Sequence, residues 1–573
     1  MEADRPPAPP APGADALAGA DSWSTRGQAV RWFAACTAIY GVAALVVATK
    51  VGGLLNHDAV SYLTLARHWL YGRVDLGITG TWSPLFSWCL AAALSVTSNE
   101  DLAVRIVMML SGFVFLAGAC SFYARQPSAA VAWIAGGLTA LFAAALTGVL
   151  ITPDLLGAGL FLLGFAAFLS VLERPRAARA AASGVLLGLA YLAKAIFLPL
   201  ALASCAVVVA LRMWQQRAAP PWRSAARMVG PAALAWLLVA VPWIVALSAK
   251  YDRPTYTRAT IPQWASIGPR DVPRDQPTNI RFYVPEPGRQ SQFEDESILP
   301  TTSWSPFASK AYLLHYALHV RTNVLEVQPA ILRRIDFLNA GFLALLAFFA
   351  ARVVRPARSD GALATPGPWP LLAVPTLLLL AAYALNFGDQ LRYYLVAVPG
   401  VYLGALVAWP RVAGATGMRF GRIVGLAIAT VTLLLPVTLL RGDLADWGRE
   451  GMASQQMRGI AQVLDAAGLR GSVAAVGPPT MKHPAIYLSY HLGTTYNGTE
   501  DARSVEAVDT ACARLVVIEP MHPVLDTLLA SGGHVRADAL SPDLAKSLRD
   551  ARFTLLWKRA PLDGARCRHS VQQ

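Results

Sequence analysis

Stretches of about 20 apolar residues, long enough to cross a bilayer as a helix, recur along this chain between short arginine-bearing segments. Backbone polar groups have no water to bond to inside a bilayer, so such stretches are restricted to helices there. The candidate spans are Ala29–Val51, Ala103–Tyr123, Ser128–Ile151, Leu155–Leu172, Met228–Ala249, Ile335–Val354, Pro370–Asn386, Tyr393–Trp409 and Ile423–Leu440. Ala181–Trp214 is too long for one span and reads as two short helices meeting near Lys194. The total is about eleven. A chain that is 55% hydrophobic and only 15% charged is far from soluble globular usage. Its net charge of +14 would suggest nucleic acid. The arginines, however, sit in the short segments between spans, where they orient a membrane protein.

With the N-terminus in the cytoplasm, strict alternation puts nearly every arginine group on the same side. These groups are Arg125; Arg174, Arg176 and Arg179; Arg212, Arg217, Arg223 and Arg227; Arg352, Arg355 and Arg358; and Arg411, Arg419 and Arg422. The pattern is the positive-inside rule, and it requires Ala181–Trp214 to be split. Residues 1–28 are Ala/Pro-rich and acidic, which predicts a disordered cytoplasmic tail ahead of an uncleaved anchor. Residues 29–441 form the transmembrane domain, with outer loops 52–102 and 250–334. In residues 442–573, short apolar runs such as Ser472–Val476, Leu515–Glu519 and Phe553–Trp557 alternate with helix-like segments. That alternation predicts a small α/β domain outside the membrane, on the periplasmic side. Cys512 and Cys567 both fall in this domain, so an oxidising compartment would let them pair.

Ionisable groups at a bilayer are costly to place, so each one is a functional candidate. Asp58 follows the first span, and Asp154 lies in "LITPDLLGAG" between the third and fourth. Lys194 lies in "GLAYLAKAIFLPLAL", at the turn of the split segment, and Arg392 in "LRYYLVAVPG". All four fall at the outer face. The competing readings are structural: Asp58 and Asp154 as helix N-caps, Lys194 snorkelling to the interface, and Arg392 paired with Asp389.

The stretch "NHDAVSYLTLARHWLYG" carries Asp58, then Tyr62, an amphipathic helix to Tyr71 and the turn at Gly72; "TWSPLFSW" follows, with Pro84, Leu85 and Phe86. "ITPDLL", "GLAYLAKAIFLPL" and "LRYYLVAVPGVYL" come later in that order. Together these resemble the GT-C superfamily of bacterial membrane glycosyltransferases that use polyprenyl-phosphate sugars. That superfamily includes the lipid A aminoarabinose transferases and protein O-mannosyltransferases. The resemblance implies a polytopic α-helical, GT-C-like membrane protein with a small C-terminal periplasmic α/β domain. It would be a multi-pass enzyme of the bacterial inner membrane. It implies an inverting hexosyl- or pentosyltransferase moving a sugar from polyprenyl phosphate to a lipid, glycan or protein acceptor. Candidate sugars are aminoarabinose, mannose, arabinofuranose, galacturonate and glucose.

On this reading Asp58 is the catalytic base, because an acceptor hydroxyl must lose its proton as the new bond forms. Asp154, His57 and Tyr62 orient the acceptor or act as secondary groups. Lys194, Arg392 and Arg258 hold the donor phosphate, the first two stabilising the charge that grows on it as it leaves. No cofactor is required; a divalent metal on Asp58, Asp154 and His57 is a second option and not the favoured one. The alternative function is a transporter or flippase of a lipid-linked glycan, which should place its charges near the bilayer midplane.

Overall fold

A computed structural model describes residues 26–50, 55–126, 129–216, 222–272, 281–299, 303–328, 369–386, 388, 390–403, 406, 451–559 and 567. Among these, six helices are long and apolar enough to cross a membrane. They are α1 (Arg26–Lys50), α5 (Glu100–Tyr123), α6 (Ala129–Val149), α7 (Asp154–Glu173), α9 (Phe197–Gln216) and α10 (Trp222–Lys250). Between α1 and α5 come α2 (His57–Leu70), α3 (Val74–Gly77) and the apolar α4 (Pro84–Val96), and α8 (Ala177–Ala193) precedes α9. The expected spans Ile335–Val354 and Ile423–Leu440, the end of Tyr393–Trp409 and tail residues 1–25 lie outside the described residues.

Helix α7 is apolar all round and is the most buried of the six, so it shows no polar stripe. Small residues let its neighbours approach. A Cβ on Gly159 would sit 2.5 Å from the backbone nitrogen of Phe115 in α5, and one on Gly184 of α8 would sit 2.0 Å from the Ala232 carbonyl of α10. Backbones this close are the usual way membrane helices gain packing where lipid is as apolar as leucine.

The expected break in the 181–214 segment is present. Helix α8 stops at Ala193, Lys194 is extended (φ −155°, ψ 126°), and α9 starts at Phe197. Pro199 supplies the reason. In one continuous helix its ring would clash with the Ala195 carbonyl and remove a hydrogen bond, whereas in the first turn of α9 it does neither harm.

After α10 the chain forms α11 (Thr260–Ser266), a buried turn at Gln292–Ile298 and α12 (Lys310–Thr322). Two short helices follow, α13 (Ala373–Ala384) and α14 (Ala397–Leu403). Helix α15 (451–466) then leads to a five-stranded sheet of β1 (Val473–Val476), β2 (Tyr496–Glu500), β3 (Leu515–Ile518), β4 (His534–Arg536) and β5 (Thr554–Lys558). The strand order is β2-β1-β3-β5-β4, parallel across β2-β1-β3 and antiparallel at β5. The uninterrupted apolar runs VAAV and LVVI fit strands covered on both faces. The 281–299 segment extends the β2 edge through bridges Phe282–Gly498 and Ser291–Tyr496. Cys512 and Cys567 are disulfide-bonded.

The sheet domain docks on the helices through α16 (Lys482–Leu492) and α15. Tyr490 donates to Glu100 Oε2 (2.9 Å) at the start of α5 and accepts from Arg67 of α2 (3.1 Å), which also pairs with Glu100. Arg458 of α15 holds Asp101 at 3.2 Å.

Candidate active site

Four charged side chains from four separate places in the sequence converge where α2, α7 and the α8–α9 turn meet the 391–394 turn. Asp58 lies in the first turn of α2; the N-cap position itself is taken by Asn56. Arg392 Nη1 donates to Asp58 Oδ2 at 2.5 Å, and His57 Nε2 lies 3.1 Å from the other oxygen. Asp154 opens α7, where it would be free to cap; instead its carboxylate takes Lys194 Nζ. Arg392 Nε stands 4.0 Å from the second Asp154 oxygen. Capping is therefore not what Asp58 and Asp154 do, Lys194 is ion-paired with Asp154, and Asp389 lies outside the described residues.

Asp58 is only 8% exposed. Burial by itself would raise its carboxyl; the charges of Arg392 and His57 outweigh that and hold it well below the usual carboxylate range. Tyr62 sits one helical turn after Asp58. Burial, then the charges of Asp58 and Asp154, push its phenol well above the usual range, so it stays protonated. Trp82 and Phe86 pack edge-on against its ring at 4.8 and 5.0 Å.

Sequence reasoning missed the aromatic floor. Lys194 Nζ lies 4.4 Å over the Tyr393 ring, which stacks on Tyr383 at 4.9 Å. Asp154, Lys194, Tyr383, Arg392, Tyr393 and apolar neighbours line a small pocket. Tyr393 was legible as the neighbour of Arg392; Tyr383 comes from α13 and had no signal. A second missed group is His483 at the start of α16, which stacks on His57 at 5.2 Å and 11°. The sheet domain thus reaches the first-loop acid from far along the chain.

Arg258 is placed in a different cluster, with its guanidinium 4.4 Å over the Tyr251 ring and its backbone nitrogen bonded to the Gly80 carbonyl at 2.8 Å. Around it, buried charges fasten the 281–299 segment to the first loop. Asp295 accepts from Tyr251 and Ser297, each at 2.6 Å, and pairs with Lys250 at 3.2 Å. Glu294 meets His68 of α2 at 2.8 Å and accepts the Gln290 N–H at 2.7 Å. Trp82 Nε1 donates to the Phe293 carbonyl at 2.6 Å. The 281–299 segment, Lys250–Tyr251 and the loop that carries His68 and Trp82 are therefore fastened together. Among the described residues, no group of three or more His, Cys, Asp or Glu side chains has metal-holding geometry.

No family model and no curated protein sequence matches the chain. Solved structures do. Apo ArnT from Cupriavidus metallidurans aligns with a TM-score of 0.50 at 14% identity, over 92% of this chain and 97% of that one. This chain has the fold of that protein. ArnT from the same organism bound to undecaprenyl phosphate aligns at 0.48 and 15% identity, over 94% and 100% of the two chains. The oligosaccharyltransferase AglB from Archaeoglobus fulgidus, in complex with an inhibitory peptide and a dolichol-phosphate, aligns at 0.45 and 12%, over 84% and 69%.

Proposed function

We propose that this protein is an inverting glycosyltransferase that moves a sugar from a polyprenyl phosphate to a lipid, glycan or protein acceptor. The observation that carries the reading is the convergence of Asp58 with Lys194 and Arg392, from positions 334 residues apart at the extremes. Undecaprenyl phosphate, bound by the ArnT structure that shares these proportions, is the donor carrier we assign.

Asp58 takes the proton of the acceptor hydroxyl while the acceptor oxygen bonds to the anomeric carbon. The bond from that carbon to the phosphate oxygen breaks, and its electron pair leaves with polyprenyl phosphate. Lys194 and Arg392 stabilise the added negative charge, more strongly in the transition state than in the bound donor. A single displacement needs one base and no second nucleophile, so the product is inverted. Asp154 positions Lys194 through their ion pair, and Tyr62 and His57 orient the acceptor beside Asp58. Arg258 contacts the donor from the loop side. About eleven spans, a cytoplasmic N-terminus and a periplasmic sheet domain complete the reading. The Cys512–Cys567 disulfide supports that sidedness, since such bonds persist in oxidising compartments.

The test is transfer by purified, lipid-reconstituted protein across a panel of undecaprenyl-phosphate sugars. Release of undecaprenyl phosphate that vanishes in Asp58→Asn, with folding intact, supports the reading. Wild-type turnover in Asp58→Asn would overturn the base, and inactivity on every donor alongside translocation of a lipid-linked glycan would favour a flippase.

A further inference from the structure

The four site charges balance: two carboxylates against two cations. The two cations of this cluster are already committed, Arg392 to Asp58 and Lys194 to Asp154. The commitment is incomplete in one place. Arg392 Nε is buried with no hydrogen-bond partner, because its nearest carboxylate oxygen, on Asp154, stands 4.0 Å away and beyond bonding range. A buried guanidinium donor left unmet is costly and calls for an acceptor oxygen. Arg392 also lines the pocket that holds Lys194, Asp154 and Tyr393. The missing acceptor would come to this small pocket, which both cations line.

Resting on the donor class assigned above, we propose that the donor phosphate binds by exchanging ion-pair partners. One phosphate oxygen takes Arg392 Nε and another takes Lys194, and Arg392 is drawn off Asp58. The base is masked by Arg392 in the empty enzyme and freed only when the donor is in place. A carboxylate paired with a guanidinium is a weak proton acceptor; the same carboxylate relieved of that charge is a stronger one. The groups facing Asp58 are Arg392 and Tyr393 from the 391–394 turn, Asp154 from α7, Lys194 from the α8–α9 turn, and His57 and Tyr62 from its own helix. His57 is itself stacked on His483. Arg392 is the cation bonded directly to the Asp58 carboxylate from outside its own helix, so its transfer to phosphate is the change that unmasks the base. No bond is made or broken in this step, and the total charge of the cluster becomes more negative by that of the phosphate.

The consequence runs against intuition. Asp58 and phosphate compete for one arginine, so removing the carboxylate should strengthen phosphate binding. Undecaprenyl phosphate binding is measured on the full-length protein in nanodiscs, with thermal unfolding of each variant checked alongside. Asp58→Asn should bind about tenfold tighter than wild type, in line with the one to three pK units that an adjacent opposite charge is worth. Asp58→Glu keeps the competing charge and should bind like wild type; Lys194→Gln should bind more weakly. A second readout is the pH profile with a competent donor: the acid limb of kcat should lie at higher pH than that of kcat/KM, because the base loses Arg392 only in the complex. Wild-type binding with no gain in Asp58→Asn, or coincident acid limbs, overturns the exchange and leaves the glycosyltransferase reading standing. If neither wild type nor Asp58→Asn binds undecaprenyl phosphate, the donor assignment fails and the exchange with it.

Discussion

Gly184 offers a perturbation whose size can be worked out from the helix packing. A Cβ at this position would stand 2.0 Å from the Ala232 carbonyl oxygen and 2.8 Å from its carbon. Ordinary contact is about 3.4 Å or more, so α8 and α10 must separate by roughly 1 Å. The obstacle is backbone, which cannot rotate away as a side chain would. Alanine gains about 0.5–1 kcal/mol of helix propensity over glycine, and forced overpacking costs about 1–3 kcal/mol. The clash wins, and Gly184→Ala should lose about 1–2 kcal/mol, a melting shift of a few degrees for a chain this long. The loss should extend to activity. Lys194 stands ten residues further along, at the end of α8, about 15 Å away at 1.5 Å per residue. A rigid helix carries a shift of that size to its end, and about 1 Å of misplacement at a reacting centre can cost on the order of a hundredfold. Gly137 of α6 is the control, since a Cβ there meets nothing within 4 Å. Thermal unfolding in detergent and donor turnover measure both effects. If Gly184→Ala melts and turns over like Gly137→Ala, the tight α8–α10 approach is not what fixes Lys194.

Three further outcomes follow from the sheet domain and the second loop. His491 is half-buried near Arg458, burial being the larger influence, and its imidazole is pushed down to about 4. The unfolded chain then binds the proton first, so this contribution is whole above pH 6.5 and is lost between pH 6.5 and about 4. It amounts to at most on the order of 3 kcal/mol, and His491→Gln should flatten the acid limb of a pH–melting curve. The Cys512–Cys567 bond closes a 55-residue separation. Chain entropy puts its worth at up to about 4 kcal/mol, so Cys567→Ser should lower the sheet domain's unfolding midpoint under oxidising conditions and remove its sensitivity to reductant. Asn323 Nδ2 donates to the carbonyls of Ala384 (2.9 Å) and Asn386 (3.2 Å), and His319 bonds Asn386 at 2.5 Å, so the end of the loop helix grips the end of α13 six residues before Arg392. Asn323→Leu should cost about 1–3 kcal/mol and speed amide exchange across the α13 end; unchanged exchange there would show that the grip does not position Arg392.

The membrane class, the break near Lys194 and the sheet domain were legible because each rests on a pattern along the chain: apolar length, a segment too long for one span that arginine alternation requires to be split, and short apolar runs alternating with helix-like segments. Asp58, Asp154, Lys194 and Arg392 stood out singly for the same reason, each being a charge where charge is expensive. Their sidedness could be inferred from arginine bias elsewhere. Their pairing could not. Which carboxylate takes which cation depends on how α2, α7, the α8–α9 turn and the 391–394 turn are brought together. That is set by non-local packing such as the glycine contacts between α5 and α7 and between α8 and α10. Tyr383 beneath Tyr393, His483 upon His57, and the locking of the 281–299 segment by Asp295 and Glu294 are likewise meetings of residues that no short window contains. The sequence by itself determined which costly charged groups the protein carries among its apolar segments; only the tertiary structure decided that they meet and neutralise one another, because an ion pair is a property of distance.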